Sequence, residues 1–580
     1  MRWIKNTQGY LLAGAQYEVL IRRAQPPVAE ISFDGRVMAE LAMVSALENA
    51  DAKEHLTNAR ILAMEEIDGG LGVTLGAESD LWQERRFEWK FYPDHVTYRH
   101  FAAGSGKLGR CYFFSSGRPG MYDDGTSDGY HTNAAFLTPH YRTFNVNLAN
   151  VREFDISQPG FAGIGRSECV GKSDYMNVER WHGIFSPAPL VFAFYHGDAV
   201  MSVGIGAKPG DYRFNGLEYS GCLKAASCFY VHYEGFTQAE GAFASPEAAL
   251  HFDYSPFGCL RRYIEWIDRR GYGTQFRFPE AKWHRGPIFC GWAEQTALRE
   301  PGVSASERAT QANYEAWMDE LDRRGVPVRT IVIDDKWQKD YGRFEVDTRK
   351  WPDMPGFVRR AHEKGRRVLL WIPGYQAEGV PKEYCALDEQ DNPVMALPGL
   401  EAYDAMVRDE IVALIRQTDI DGFKEDWIGR TGHPGLKHYG ALHGIEMLRR
   451  FQFVVHDALH SVKPDGLLET QTPNPLLRES SDMLRLNDIW FATRELPEMM
   501  RDRARIARMA GWQLLDCDNA GATIIPEWIQ YQQLQPRLGV PSLYFLTETE
   551  SSHEPMTRAQ CDYMSALWRE YIERNGLAEE

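Results

Sequence analysis

Cysteine is sparse in this chain of 580 residues: nine in all, scattered, with no Cys-x-x-Cys pair and the nearest two at Cys222 and Cys228. That spacing suggests neither a zinc knuckle nor a disulfide-stapled scaffold. Long apolar runs are missing as well. No window approaches the roughly 20 apolar residues of a membrane span, and the opening RWIKNTQGYLLAG lacks the apolar stretch of a signal peptide. A cytoplasmic location with reduced thiols is therefore expected, with no membrane partner. Positive charge is in deficit: 64 Lys and Arg against 81 Asp and Glu leave a formal net charge of −17. Phosphate backbones demand a basic surface, so no nucleic-acid partner is expected. There is no phosphate loop and no cysteine–histidine pairing, and His284, His362 and His433 lack ligand spacing. No cofactor and no resident metal are expected.

Aromatics, by contrast, are abundant: 12% of the chain, including 16 Trp and 27 Tyr. Flat, polar-tipped rings suit large cores and also the apolar faces of sugar-like ligands. The length exceeds one ordinary domain, and the texture changes partway. Up to about residue 250 the chain shows short runs of period two broken by turns. RFEWKFYPDHVTYRHF alternates Phe87, Trp89 and Phe91 against Glu88 and Lys90. LVFAFYHGDAVMSVGIGAKPGDYRF reads as strand, Gly-Asp turn, strand and Pro-Gly turn, and Gly69-Gly70 as a further hairpin tip. An antiparallel β-sandwich is expected over residues 1–280, closed by a helix in CLRRYIEWIDRRGYG. The polar, aromatic loop GMYDDGTSDGYHTN at 120–133 reads as a solvated turn or as an arm reaching a neighbouring site.

After Pro287, apolar strands alternate with long amphipathic helices. Eight strands are read: PIFCGWAE, VRTIVIDDKW, RVLLWIPGY, IDGFKEDWIG, GLLETQTP, MLRLNDIW, QLLDCDNAG and VPSLYFLTE. Helices such as SERATQANYEAWMDELDRRG and MPGFVRRAHEKG lie between them, with stops at Gly325 and Gly365. Eight such units predict a (β/α)8 barrel over 281–580. Between the fifth and sixth strands, NPLLRESSD leaves room for little more than one helical turn.

Barrel chemistry sits at the C-terminal strand ends. There the chain offers Trp292 and Glu294, Asp334, Asp335 and Trp337, Trp371, then Lys424, Asp426 and Trp427. Glu469, then Arg485, Asp488 and Trp490, then Asp516, Asp518 and Glu548 complete the rim. One acid at a strand tip means little; gathered on one rim they form an acidic, aromatic-walled cup. In IDGFKEDWIG, alternation puts Lys424 and Asp426 on one face and Glu425 on the other. A lysine beside an aspartate favours the ionised carboxylate, as an attacking group needs. Paired carboxylates with stacking tryptophans suit glycoside chemistry.

Here the chain resembles clan D of the glycoside hydrolases, the α-galactosidase and α-glucosidase families 27, 31 and 36. The resemblance covers roughly 286–548. VIDDKWQKDYGRFEVDTRKWPDMPGFVRRAHEKGRRVLLWIP is similar to their double-aspartate strand, helix and following strand. DGFKEDW looks like their strand-four Lys-x-Asp motif, implying Asp426 as nucleophile and Lys424 as a ligand of a sugar hydroxyl. MLRLNDIW resembles their strand-six segment, implying Asp488 as acid/base and Arg485 as a ligand, with Asp482 of RESSD the runner-up acid/base. By the same match Asp334 and Asp335 would grip sugar hydroxyls; Trp292, Trp337, Trp371 and Trp427, at the strand ends, are expected to wall the cup. KEDWIGR departs from the residues that usually follow the nucleophile in families 31 and 36.

The resemblance implies a retaining hydrolase of an α-linked hexoside, α-galactoside narrowly ahead of α-glucoside, with a small carbohydrate as substrate. A metal-dependent barrel lyase or isomerase is the alternative, with Asp334, Asp426, Asp516 and Asp518 as possible Mg²⁺ ligands. A non-catalytic carbohydrate binder is the other alternative. Lys424 as a Schiff base is disfavoured by its adjacent carboxylate. A homo-oligomer is a possible assembly.

Overall fold

The computed structural model describes residues 2–115, 142–145, 152–155, 185, 187–222, 226–298, 300–428, 435–437, 440–486, 496–518, 525–549 and 553–577. The loop at 120–133 lies outside them. The N-terminal half is built of antiparallel sheets: five strands in chain order from Arg2 to Ala42, a ten-stranded sheet, and a further five-stranded one. The expected alternation is seen directly. Glu84–Phe91 pairs antiparallel with His95–Ala103, and Phe87, Trp89 and Phe91 are all fully buried. Leu56–Ile67 and Gly70–Ser79 form the hairpin expected at Gly69, whose φ is 73°. The Trp89 indole donates to the Met43 carbonyl (3.0 Å), tying the ten-stranded sheet to the chain leaving the first sheet.

Helix α1 (Pro256–Arg270) follows the last of these strands and ends at Gly271 in the left-handed conformation. It leads into the barrel strands: β1 (Ile288–Cys290), β2 (Thr330–Ile333), β3 (Arg367–Pro373), β4 (Gly422–Asp426), β5 (Leu467–Thr470), β6 (Met483–Arg485), β7 (Leu515–Asp516) and β8 (Ser542–Leu543). All neighbouring strands are parallel, β8 pairing with β1. A parallel bridge between Asp516 and Val540 brings the β7 and β8 edges together, so the ring is nearly closed. The eight strands are the eight read from the sequence, each shorter than its apolar run. Helices α2 (Trp292–Ala297), α3 (Gln311–Arg324), α4 (Met354–Glu363), α5 (Glu401–Thr418), α6 (Ile445–Val462), α7 (Leu496–Met509) and α8 (Ile525–Leu538) pack around them, and α9 (Arg558–Arg574) follows. Gly325 caps α3 with φ 67°, as its position after the last periodic residue requires. Between β5 and β6 the chain makes only a 3₁₀ turn, Pro475–Ser480.

One correction concerns β1. PIFCGWAE is not a single strand: the chain turns after Cys290 and Trp292–Ala297 is helical. Glu294 thereby leaves the rim. It is buried and accepts the backbone N–H groups of Leu546 and Thr547 and the Thr547 hydroxyl, fastening the β1 end to the segment after β8.

The two halves meet along α6 and the turn after β5. Glu446 accepts the backbone N–H groups of Gly210 (2.6 Å) and Tyr212 (3.2 Å). Asn474 donates to the Ala188 carbonyl (2.9 Å), and Arg478 joins Asp268 of α1 (2.6 Å).

Candidate active site

Parallel pairing sets the site's layout. In β3, β4 and β5, Trp371, Lys424 and Glu469 are register partners and share one face. Glu425 points to the other face, as alternation predicts, where Gln452 of α6 donates to it (2.5 Å). Burial pushes the Glu425 carboxyl up to about 8. It is a wall residue.

Asp426 ends β4 and keeps part of its side chain open, 20% exposed. One oxygen accepts from Arg485 of β6 (3.1 Å) and the other from the Trp371 indole (3.2 Å). Burial works to raise its pKa. Arg485, then Lys424, the Trp427 N–H and the Trp371 indole outweigh it, and the carboxyl is held below its ordinary value. The sequence reading named Lys424 as the stabilising cation; Arg485 contributes more. The direct partner of Lys424 is Asp334 (2.8 Å), with the Cys290 sulfur 3.3 Å from the ammonium. Both charges are buried at 2–3% exposure. Burial opposes the Lys424 charge, but Asp334 raises its pKa well above the ordinary value. Lys424 thus stays a cation, which does not suit Schiff-base chemistry.

Asp335 stands beside this pair and accepts from the Tyr341 hydroxyl (2.8 Å). Burial first, then the charges of Asp334 and Asp426, lift it to about 7 against the pull of Tyr341. It is an acid that changes protonation near neutrality. Deeper in the barrel, Arg485 donates to Gln471 (2.5 Å) and lies 3.3 Å from Asp518. Burial, then the Asp516 carboxyl, holds Glu469 well above its ordinary value. Burial and Asp518 raise Asp516 in turn. Two neighbouring buried acids cannot both ionise cheaply.

The tryptophans separate into different jobs. Trp337 is fully buried and donates to the Trp371 carbonyl (2.6 Å), leaving no ring face open to a ligand. Trp371 is 1% exposed and holds Asp426. Trp427 is 44% exposed and packs edge-to-face on Trp371 (5.1 Å), with Tyr341 at 5.3 Å. Trp292 is half-buried on α2. Asp488 and Trp490 lie outside the described residues. Asp482, the other acid weighed from the sequence, precedes β6 at its N-terminal end, where its carboxylate meets His456 and His460 of α6. It is at the opposite end of the strand from Arg485, so it is not the runner-up acid of this site.

Cys290, Tyr341, Gln471 and Tyr544, whose ring lies 4.8 Å from the Lys424 ammonium, escaped the sequence reading. Gln471 had a signal, since it falls two residues after Glu469 and shares its face. Cys290 was hidden inside an apolar run, and Tyr341 arrives from a loop with no periodicity.

Residues 300–438 match the glycosyl hydrolases family 31 TIM-barrel domain. A comparison with curated proteins finds no match. Among solved structures, a family 31 sulfoquinovosidase from E. rectale is similar at 10% identity and a TM-score of 0.57, over 98% of this chain and 85% of that one. A family 36 α-galactosidase from Geobacillus stearothermophilus is similar at 11% identity and 0.53, over 99% and 86%. An α-galactosidase from Lactobacillus brevis gives 10% and 0.51, over 97% and 83%. The chain therefore has a clan D-like glycoside hydrolase fold, with the family 31 barrel match carried by residues 300–438.

Proposed function

We propose that the chain is a retaining α-glycoside hydrolase with Asp426 as nucleophile and Asp488 as acid/base, residues 1–280 forming the sandwich domain and 281–580 the catalytic barrel. The observation that carries this reading is the state of Asp426. It is a partly open carboxylate at a barrel strand's C-terminal end, kept ionised by Arg485 and oriented by Trp371. Asp426 attacks the anomeric carbon as the bond to the leaving oxygen breaks and Asp488 protonates that oxygen. Asp488 then takes a proton from water, which displaces Asp426 with net retention. Asp334, Asp335, Lys424 and Arg485 bind sugar hydroxyls, and Trp427 offers the open ring face. An α-galactoside is placed ahead of an α-glucoside; α-galactosidase is what two of the similar structures are called.

The lyase or isomerase reading needs carboxylates free to hold Mg²⁺. Asp334 faces Lys424, and Asp426 and Asp518 face Arg485, so protein cations already balance three of the four. Turnover of nitrophenyl α-glycosides, unaffected by chelator and giving the α-anomer first by NMR, is the expected result. Asp426→Ala should abolish turnover while the circular dichroism spectrum is kept; appreciable residual activity rejects the assignment. For the acid, Asp488→Ala and Asp335→Asn are compared on good and poor leaving groups. Only loss of the true acid penalises the poor one preferentially.

A further inference from the structure

Away from the rim, His456 and His460 lie four residues apart on α6 and project from the same face. Both meet Asp482, which precedes β6 at the end of the barrel remote from Asp426. His456 Nε2 is 3.0 Å from Asp482 Oδ1, and His460 Nε2 is 3.1 Å from Oδ2. Asp482 and His460 are held in place by further contacts. Asp482 exchanges backbone contacts with β5, its N–H reaching the Leu468 carbonyl (3.0 Å) while Oδ2 accepts the Leu468 N–H (2.7 Å). Phe278 stacks flat on His460 at 3.8 Å.

The hydrogen bonds fix the tautomer of His460. Its Nδ1 lies 3.1 Å from the Pro464 carbonyl, which can only accept, so Nδ1 carries the proton. In the neutral ring Nε2 is then a lone pair aimed at a carboxylate oxygen. Either a second ring proton, making an imidazolium–carboxylate pair, or a metal ion bound to both atoms satisfies this contact. An N–H to carbonyl bond behind the ligating nitrogen is also how metal-binding histidines are oriented. His284 stands nearby but is no ligand: its Nδ1 accepts the Ala281 N–H (3.2 Å) and its Nε2 meets the Asp465 carbonyl (3.0 Å). Among the described residues, His456, His460 and Asp482 are the group whose ligand atoms gather within 4.8 Å.

We infer that His456, His460 and Asp482 form a binding site for a divalent transition metal of the zinc class, bridging α6 to the base of β6. Two imidazoles and a carboxylate are a zinc-type donor set, and tetrahedral bonds of about 2.0–2.1 Å separate neighbouring ligand atoms by roughly 3.3–3.4 Å. The two nitrogen-to-carboxylate separations, 3.0 and 3.1 Å, are within a few tenths of an ångström of that, and the three ligand atoms lie within 4.8 Å of one another. A cavity of about 140 Å³, lined in part by Phe276, Phe278, Ser481, Asp482 and Trp512, reaches the Asp482 side of the cluster. Bound there, the ion would cross-link two elements that the short Pro475–Ser480 turn leaves without a helix between them.

The test uses the full chain, stripped with chelator and titrated with Zn²⁺ by calorimetry and with Co²⁺ by visible absorption. One equivalent should bind, Co²⁺ should give the intense bands of a four-coordinate site, and Zn²⁺ should raise the unfolding midpoint. His460→Gln and Asp482→Asn should each weaken Zn²⁺ binding at least tenfold and remove the midpoint shift. Binding by the unaltered chain that matches the His456→Gln/His460→Gln double variant overturns the site. Should these variants fail to fold, the spectrum of the unaltered chain decides: weak six-coordinate cobalt bands, or none, overturn it equally.

Discussion

Arg485 is the residue on which the ionisation of Asp426 depends most directly. Its guanidinium holds the carboxylate against a burial cost that would protonate it. Replacing it with glutamine should move the acid limb of the kcat/KM profile to higher pH by about one unit or more. Activity at pH 5 should then fall more than activity at pH 8; a profile that only drops in height rejects the electrostatic role. Glu425, on the opposite face, supplies a stability test. Its folded pKa of about 8 exceeds its ordinary 4.5, so folding favours the protonated form. Between those values the unfolded chain has lost a proton that the folded chain keeps, and stability falls as pH rises, at up to about 1.4 kcal/mol per pH unit. Glu425→Gln removes the titration. Its midpoint advantage over the parent should grow from pH 5 to pH 8 and level off above, which thermal unfolding across that range measures.

Among the elements, α2 shows why a strand-end acid need not belong to a rim. Glu294 lies on α2 and accepts three hydrogen bonds from the segment after β8, closing the ring where the first and last strands meet. Glu294→Gln puts an amide N–H₂ among backbone donors and should cost about 1–3 kcal/mol, read from the urea midpoint. The same element explains a limit of sequence reading. PIFCGWAE is apolar enough for a strand throughout, and only packing of α2 against the 3₁₀ turn Ala305–Arg308 and the barrel mouth makes its second half helical. His456 and His460 give no signal in the sequence alone, because a His-x-x-x-His pair on an amphipathic helix acquires meaning only once Asp482 lies beneath it.

Across the whole molecule, the N-terminal sheets brace the side of the barrel that holds β5 and β6. Arg478 is central to that contact, donating to the Ala510 carbonyl (2.7 Å) and to Asp268 of α1. Arg478→Ala should lower stability by about 1–3 kcal/mol, and combining it with Asp268→Ala should add less than the sum of the two single losses. Additive midpoints would mean that the pair does not couple the halves. Eight apolar runs, their intervening helices, the alternating aromatics around Trp89 and the face shared by Lys424 and Asp426 were all determined by the sequence itself, because period and polarity are local properties of a chain. The tertiary structure alone decided that Arg485 rather than Lys424 directly holds Asp426, that Asp334 takes Lys424, that Trp337 is sealed while Trp427 is open, and that Asp482 faces away from the rim. Partners in a barrel come from strands far apart in the chain, and which charges meet depends on register and closure.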